Sequence, residues 1–477
     1  MDFVGREREL ALLKAEFDLS RPSLVIAYGR RRIGKSWLLK QAADGRPSIY
    51  FQATIASSAQ NLETFKAVVA LAIGQSKLLA GLGTWESVLH YLADAAEKQP
   101  GLVVTFDEFP YLLADDKSLP SVLQRFWDTG AAASGNLKLV LCGSAISQME
   151  DLLAEKNPLY GRKTMSIDVK QLSLREAAEF FPDYSAEEII ETYAVFGGVP
   201  HYLAQCDPSK DLRGNIIDLL LTETGGLVNE PEFLMRSEFE KPQTYAAILA
   251  AIADGCDSTG TIADRIKGKT SDISPYVARL IRLDLITSEK SLDADEKGRN
   301  RRLLLNDQLL AFWYRFLPRY LGAINSGHGE KLFDSIIVHA LPEFMGGAFE
   351  KICRDHARLH LEEQTGVPAA EVGSIWGHSD MDVDVAGTLL NGDAFFGEAK
   401  WRSRRVDMAM VEKLKQAPEK SGYGGTYGHH FLFFSKTGFK EEVQQFAGVD
   451  ASVHLIDPEL LVYGPDRRYR HNPRGPK

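Results

Sequence analysis

Cysteine is scarce: the 477 residues hold four, Cys142, Cys206, Cys256 and Cys353, widely scattered and with no CxxC pair. That excludes a disulfide framework and a cysteine-built zinc site, and it suits a reducing compartment. No run of about 18 apolar residues occurs, so no membrane span is expected. The opening MDFVGREREL is charged from its start and lacks the apolar core of a signal peptide, which points to a cytoplasmic location. Surplus positive charge is missing too: Lys+Arg 55 against Asp+Glu 65 leaves −10. A general electrostatic attraction to nucleic acid is thereby excluded, and any such binding must come from a local patch. What remains is an ordinary globular composition, 44% hydrophobic and 25% charged. At roughly 150 residues per domain, the length allows about three domains.

Residues 1–205 alternate apolar runs with amphipathic stretches, the pattern of parallel α/β structure. SLVIAYG, SIYFQA, LVVTFDE and LKLVLCGS read as strands buried on both faces. LSLREAAEFF and SAEEIIETYAVF read as helices of a small lid that ends at Gly197-Gly198. Residues 206–305 form linker helices and then three helical patterns followed by a hairpin, the order of a winged helix-turn-helix. Residues 306–464 open with the helical aromatic run AFWYRFL and switch to strands: MDVDVAGTLL, a turn at Asn391-Gly392-Asp393, AFFGEAKW and HHFLFFSK. Residues 465–477 form a basic tail.

Gly29-Arg30-Arg31-Arg32-Ile33-Gly34-Lys35-Ser36 matches the GxxxxGK[ST] phosphate loop, between an apolar strand and the helical WLLKQAA. Glycines let backbone N–H groups curl around phosphate oxygens. Lys35 brings a charge to the β/γ-phosphates, Ser36 is a Mg²⁺ ligand, and the helix N-terminus adds partial positive charge. ATP and Mg are the implied cofactors. Asp107-Glu108 ends LVVTF, where a parallel strand delivers acidic groups to the ligand crevice. Asp107 is the second candidate Mg²⁺ holder and Glu108 the candidate that polarises the attacking water. Ser144, ending the next strand, is a candidate contact to the γ-phosphate or that water. Arg162 in Leu159-Tyr160-Gly161-Arg162 is a candidate γ-phosphate sensor, with a plain surface arginine equally consistent with its spacing.

These segments, together with Phe3-Val4-Gly5-Arg6-Glu7-Arg8-Glu9-Leu10, TFDEF, GSA and GGVPHYL, resemble the archaeal-type ATPase family of the STAND branch of AAA+ proteins. The resemblance implies that the FxGRxxEL segment packs near the adenine. It also implies a P-loop domain with helical lid, then a winged helix and a restriction-endonuclease-like α/β domain similar to PD-(D/E)xK nucleases. Where family members carry a second small hydroxyl residue after Ser144, this chain has Ala145, which weakens a hydroxyl-based sensor pair.

In the middle segment, ISPYVARLIRLDLI is the expected recognition helix, offering Ser274, Tyr276, Arg279 and Arg282. Basic and acidic residues nearly balance from Arg236 to Arg302, a weak signature for a DNA reader; Gly298-Arg299-Asn300-Arg301-Arg302 is the best patch. DNA contact and a packing module remain equal readings. Further on, Glu398 and Lys400 are two apart and share a strand face, and a hairpin brings Asp384 beside them. Two carboxylates make an oxygen-rich Mg²⁺ site, and Lys400 is placed to orient or deprotonate a water; Glu350 is a further candidate ligand from a preceding helix. Three readings stay open: an active nuclease, an inactive relic, and the polar face of an ordinary hairpin. The functional expectation is an ATPase that controls a Mg²⁺-dependent DNA nuclease-like domain. Its alternative is a nucleotide-switched regulator whose C-terminal domain only binds, with oligomerisation or a partner protein left open.

Overall fold

The four apolar runs near the start become parallel strands. The structure, a computed structural model, describes residues 3–130, 136–294, 301–378, 381–425 and 427–465. Its contacts divide the chain into two compact units: Met1–Gln171 with Val199–His201, and Leu172–Gly198 with Tyr202–Lys477. The helices expected as a lid on the first domain, Leu174–Ala178 and Ala186–Phe196, count by their contacts with the second unit.

In the first unit, β1 (Ser23–Tyr28), β2 (Ser48–Gln52), β3 (Val103–Asp107), β4 (Lys138–Gly143) and β5 (Met165–Asp168) form a fully parallel sheet in the order β2-β3-β4-β1-β5. Every residue of β3 and β4 is buried, as continuous apolar strands covered on both faces should be. On one face Phe51, Phe65, Trp85 and Phe106 pack ring against ring, with Phe65 and Phe106 centroids 4.7 Å apart. Each such burial contributes about 1.5–3 kcal/mol. Ser57 and Thr84 cap the helices Ser58–Ile73 and Trp85–Lys98 through reciprocal bonds with Gln60 and Ser87, which fixes where those helices begin. The strand order sets the carboxyl ends of β3, β4 and β1 side by side, the edge at which open α/β sheets bind ligands.

The second unit carries helices Pro242–Ala253, Thr259–Arg265 and Thr270–Arg282, then the expected hairpin, β6 (Ile286–Glu289) paired antiparallel with β7 (Arg302–Leu305). The tip, including Gly298, Arg299 and Asn300, lies outside the described residues, as does the tail from 466. Five further strands follow: β8 (Ala369–Ile375), β9 (Val383–Leu389), β10 (Ala394–Lys400), β11 (His429–Ser435) and β12 (Val453–Ile456). β8-β9-β10 are antiparallel and β10-β11-β12 parallel, so β10 is the central strand of a mixed sheet. The long helix Val338–His360 packs across β8, β9 and β10 through Phe349, Ile352, Cys353 and Ala357, all buried. The aromatic run is core, as its spacing implies: Phe312, Trp313, Tyr314 and Phe316 are buried on the helix Gln308–Phe316. Among the described residues, no helix is long and apolar enough to cross a membrane.

Candidate functional site

The phosphate loop turns between β1 and the helix Lys35–Ala42, which begins at Gly34 with φ +92°. Gly29 has φ +152°, and a Cβ there would stand 2.4 Å from the Val169 carbonyl oxygen, so only glycine fits this close crossing. Lys35 is buried and donates to the carbonyls of Gly29 and Arg30, both at 2.9 Å, which curls the loop around its ammonium. Arg6, also buried, braces the loop from below by donating to the carbonyls of Ile33 (2.6 Å) and Lys170 (2.8 Å). Pro200, in the short returning segment, lies 3.6 Å from where a Gly34 Cβ would stand. Beside it, burial and then the charge of Arg32 lower the His201 pKa.

The acidic pair meets this loop. Ser36 Oγ donates to Asp107 Oδ2 at 2.8 Å, and the Tyr50 hydroxyl donates to the same oxygen. Burial, followed by the negative charge of Asp107, raises the Tyr50 pKa and keeps that phenol protonated. Glu108 sits in a left-handed conformation, φ 51° and ψ 43°, which turns its carboxylate back across the sheet edge to β4. There the Ser144 hydroxyl donates to Glu108 Oε2 at 2.9 Å and the Ser144 N–H at 3.3 Å. Ser144 thus orients Glu108. Arg162 is not gathered into this group by its hydrogen bonds: its guanidinium forks onto both oxygens of Asp128 at 2.7 Å and reaches the carbonyls of Pro158 and Tyr160. Tyr50 and the bracing role of Arg6 escaped the sequence reading. The signal for Tyr50 was its strand, which becomes informative only once β2 is known to flank β3.

A second group forms in the other unit. Gly397 pairs with Val385 across the β9–β10 ladder, which sets Asp384 against Glu398 and Ala399. Lys400 Nζ lies 3.1 Å from Asp384 Oδ2 and 2.7 Å from Glu398 Oε1, and the Ala399 N–H donates to Asp384 Oδ2 at 2.9 Å. Burial disfavours the Lys400 ammonium, but Asp384 and Glu398 outweigh it and raise its pKa. Burial, then Asp384, pushes the Glu350 carboxyl up to about 7 and also raises that of Glu398. Arg354, which the sequence reading missed, donates to the Asp384 carbonyl at 3.0 Å and ties the long helix to β9. Among the described residues, no set of three or more His, Cys, Asp or Glu side chains is arranged as a ready metal cage.

Three of the expected DNA-reading side chains make contacts within the second unit. Arg279 lies over the Phe239 ring and donates to the Glu238 carbonyl, and Tyr276 packs edge-on against Tyr245. Arg302 stacks on Trp376, 4.1 Å from its ring centre, and faces Asp257 at 3.5 Å.

Two family profiles match the chain. Residues 3–206 match one described as an ATPase domain predominantly from Archaea, and residues 313–413 match one of archaeal and bacterial proteins of unknown function. An uncharacterised protein of Methanocaldococcus jannaschii is 31% identical over 406 residues, 84% of this chain and 88% of its own. An uncharacterised ATP-binding protein of the same organism is 39% identical over 44 residues, 9% of this chain and 75% of its own. The solved Walker-type ATPase of Pyrococcus abyssi is similar in fold, with a TM-score of 0.50 at 24% identity over 66% of this chain and 96% of that one.

Proposed function

The chain belongs to the archaeal-type family of P-loop ATPases and hydrolyses ATP; on that premise we propose that its ATP cycle controls a Mg²⁺-dependent DNA nuclease centred on Asp384, Glu398 and Lys400. At the ATPase site the roles follow from chemistry. Lys35 faces the β/γ-phosphates in exchange for the loop carbonyls it now holds. Ser36 and Asp107, already 2.8 Å apart, would hold Mg²⁺ between them. Glu108, oriented by Ser144, polarises the attacking water. An Arg162 that senses the γ-phosphate must first leave Asp128.

The observation that carries the nuclease reading is the register of β9 and β10, which sets two carboxylates and a lysine together with Glu350 on the helix behind. A mixed sheet with these groups on its central strands supports a restriction-endonuclease-like domain. Carboxylate oxygens suit a hard dication, and the raised pKa values of Glu350 and Glu398 are what such a charge would reverse. A bound Mg²⁺ would supply a polarised phosphate and an acidified water. Asp384 and Glu398 would hold it, and Lys400, released from one carboxylate, orients the water. The three helices and hairpin of residues 242–305 support a winged helix-turn-helix reading, with Arg279 and Arg302 used in packing rather than as free cations.

One observation favours the regulatory alternative: Lys400 bridges both carboxylates as a closed ion-pair set. Cleavage of plasmid and linear DNA with Mg²⁺, in ATP, in ADP and without nucleotide, decides between the two. The nuclease reading expects metal-dependent cleavage that Lys400→Ala abolishes and that nucleotide modulates. No cleavage by the wild type under any nucleotide condition leaves the regulator.

A further inference from the structure

With a net charge of −10, the chain can hold a polyanion only where cations gather locally. Arg279 and Arg302 do not supply such a place, since each lies over an aromatic ring. A pocket of about 320 Å³ in the second unit does. The ends of three helices build it. Arg265 closes the helix Thr259–Arg265, Asp254 follows the end of Pro242–Ala253, and Arg315 stands in the last turn of Gln308–Phe316, with Arg319 and Tyr320 in the turn just beyond.

Among the described residues, three guanidiniums thus line the pocket with one carboxylate. Arg265 and Arg319 both reach Asp254 Oδ2, at 2.6 and 2.8 Å. Sharing one acceptor draws two like charges together and leaves the group positive. Arg315 reaches Glu343 at 3.3 Å, but that carboxylate lies outside the lining with its side chain 81% exposed, and a pair so solvated is worth little. All three guanidiniums are open to a ligand: the side chains of Arg265, Arg315 and Arg319 are 54%, 34% and 64% exposed. Each carries five N–H donors, and Arg265 and Arg319 each direct one nitrogen to Asp254. Donors that converge from three elements suit an anion with oxygens in several directions, as a phosphate has, better than the planar pair of a carboxylate.

Position selects DNA as the source of that phosphate. Arg265 and Asp254 belong to the three helices that precede the β6–β7 hairpin. Arg315 also lines a second cavity, of about 760 Å³, whose wall holds Glu350 and Asp384. A strand held by a phosphate at Arg315 therefore borders the proposed cleavage site. We propose that Arg265, Arg315 and Arg319 form a phosphate-binding pocket that takes one backbone phosphate of DNA and anchors it beside the Asp384 cluster. The inference rests on the reading of the second unit as a DNA-acting module, not on whether that module cleaves.

The test is binding, so that its failure is separable from failure of the nuclease reading. Full-length wild type and an Arg265→Gln/Arg319→Gln double variant are titrated in EDTA into a labelled duplex of about 20 base pairs, across a series of chloride concentrations. The double variant should show a salt slope shallower by about one, the counterions of a single phosphate, which near about 0.1 M salt is about tenfold in affinity. Its thermal midpoint should hold, because both side chains are largely exposed. Arg236→Gln removes a cation that is 70% exposed and outside the pocket, and should change neither slope nor affinity. Inorganic phosphate at matched ionic strength should weaken DNA binding by the wild type more than chloride does, and lose that advantage in the double variant. An unchanged slope and affinity in the double variant, an equal loss in Arg236→Gln, or no DNA binding by the wild type at any salt would overturn the proposal. So would a pocket for free phosphate alone, seen as phosphate raising the thermal midpoint of the wild type but not of the double variant while both bind DNA equally. DNA that binds as described but is never cleaved removes the nuclease reading and leaves this one standing.

Discussion

Ser144→Ala is the most informative single change at the ATPase site. It removes the hydroxyl that reaches Glu108 Oε2 at 2.9 Å and leaves the Ser144 N–H, at 3.3 Å, as the remaining donor. A hydrogen bond to a charged acceptor is worth about 1.5–3 kcal/mol. Because one donor stays, the loss belongs at the lower end, about 1.5 kcal/mol, or roughly tenfold in kcat if the carboxylate must be in place in the transition state. Nucleotide affinity should not change, since Lys35 and the loop carbonyls it holds are untouched. Glu108→Gln should likewise preserve binding and slow hydrolysis further, because it removes the carboxylate proposed to polarise the attacking water. The double variant should be little slower than Glu108→Gln alone, as a positioning group has nothing left to position. Steady-state hydrolysis and titration with a fluorescent ATP analogue supply both readouts. If Ser144→Ala turns over at the wild-type rate, or still costs tenfold when added to Glu108→Gln, Ser144 does not act through Glu108.

Two further outcomes follow from packing and charge. Gly29→Ala should cost about 1–3 kcal/mol and lower both the thermal midpoint and ATP affinity, because its Cβ meets the Val169 carbonyl at 2.4 Å; a variant as stable as the wild type would mean the crossing is looser than it looks. His356 is held down to about 3 by burial first and by His360 and Arg175 next, whereas an unfolded histidine titrates near 6.5. The unfolded chain therefore takes up this proton first, so stability present above about pH 6.5 is lost as the pH falls toward 3. Between pH 6.5 and 4.5 the loss is about 2–3 kcal/mol. Urea unfolding at both values should show that slope in the wild type and a flatter one in His356→Leu; equal slopes would refute the assignment.

Contiguous features were legible in the sequence. The eight residues Gly29 to Ser36, with a strand before and a helix after, carry their own context, and Asp107-Glu108 ends an apolar run too continuous to be anything but a buried strand. The alternation of β10 likewise set Glu398 and Lys400 on one face, and the Asn391-Gly392-Asp393 turn brought Asp384 back to them. What stayed hidden depends on which strands become neighbours. Tyr50 reaches Asp107 because β2 flanks β3, and Ser144 reaches Glu108 because β4 lies between β3 and β1; neither adjacency is written in local periodicity. Arg162 and its distant partner Asp128 are a tertiary pairing of the same kind. The pocket of Arg265, Arg315 and Arg319 was invisible for the same reason: arginines from distant stretches converge only once the helices that carry them have packed.

The short segment Val199–His201 has a mechanical consequence. The chain leaves the ATPase unit after Gln171, re-enters it at Val199 for three residues, and leaves again after His201. Two independent bodies would need one tether; here three backbone junctions stitch them. A truncation after Gln171, Phe196 or Gly198 therefore removes Pro200 from beside Gly34, and only a chain that runs to His201 keeps the whole unit. The proline next to the phosphate loop is also the middle link of a chain whose both ends belong to the other unit.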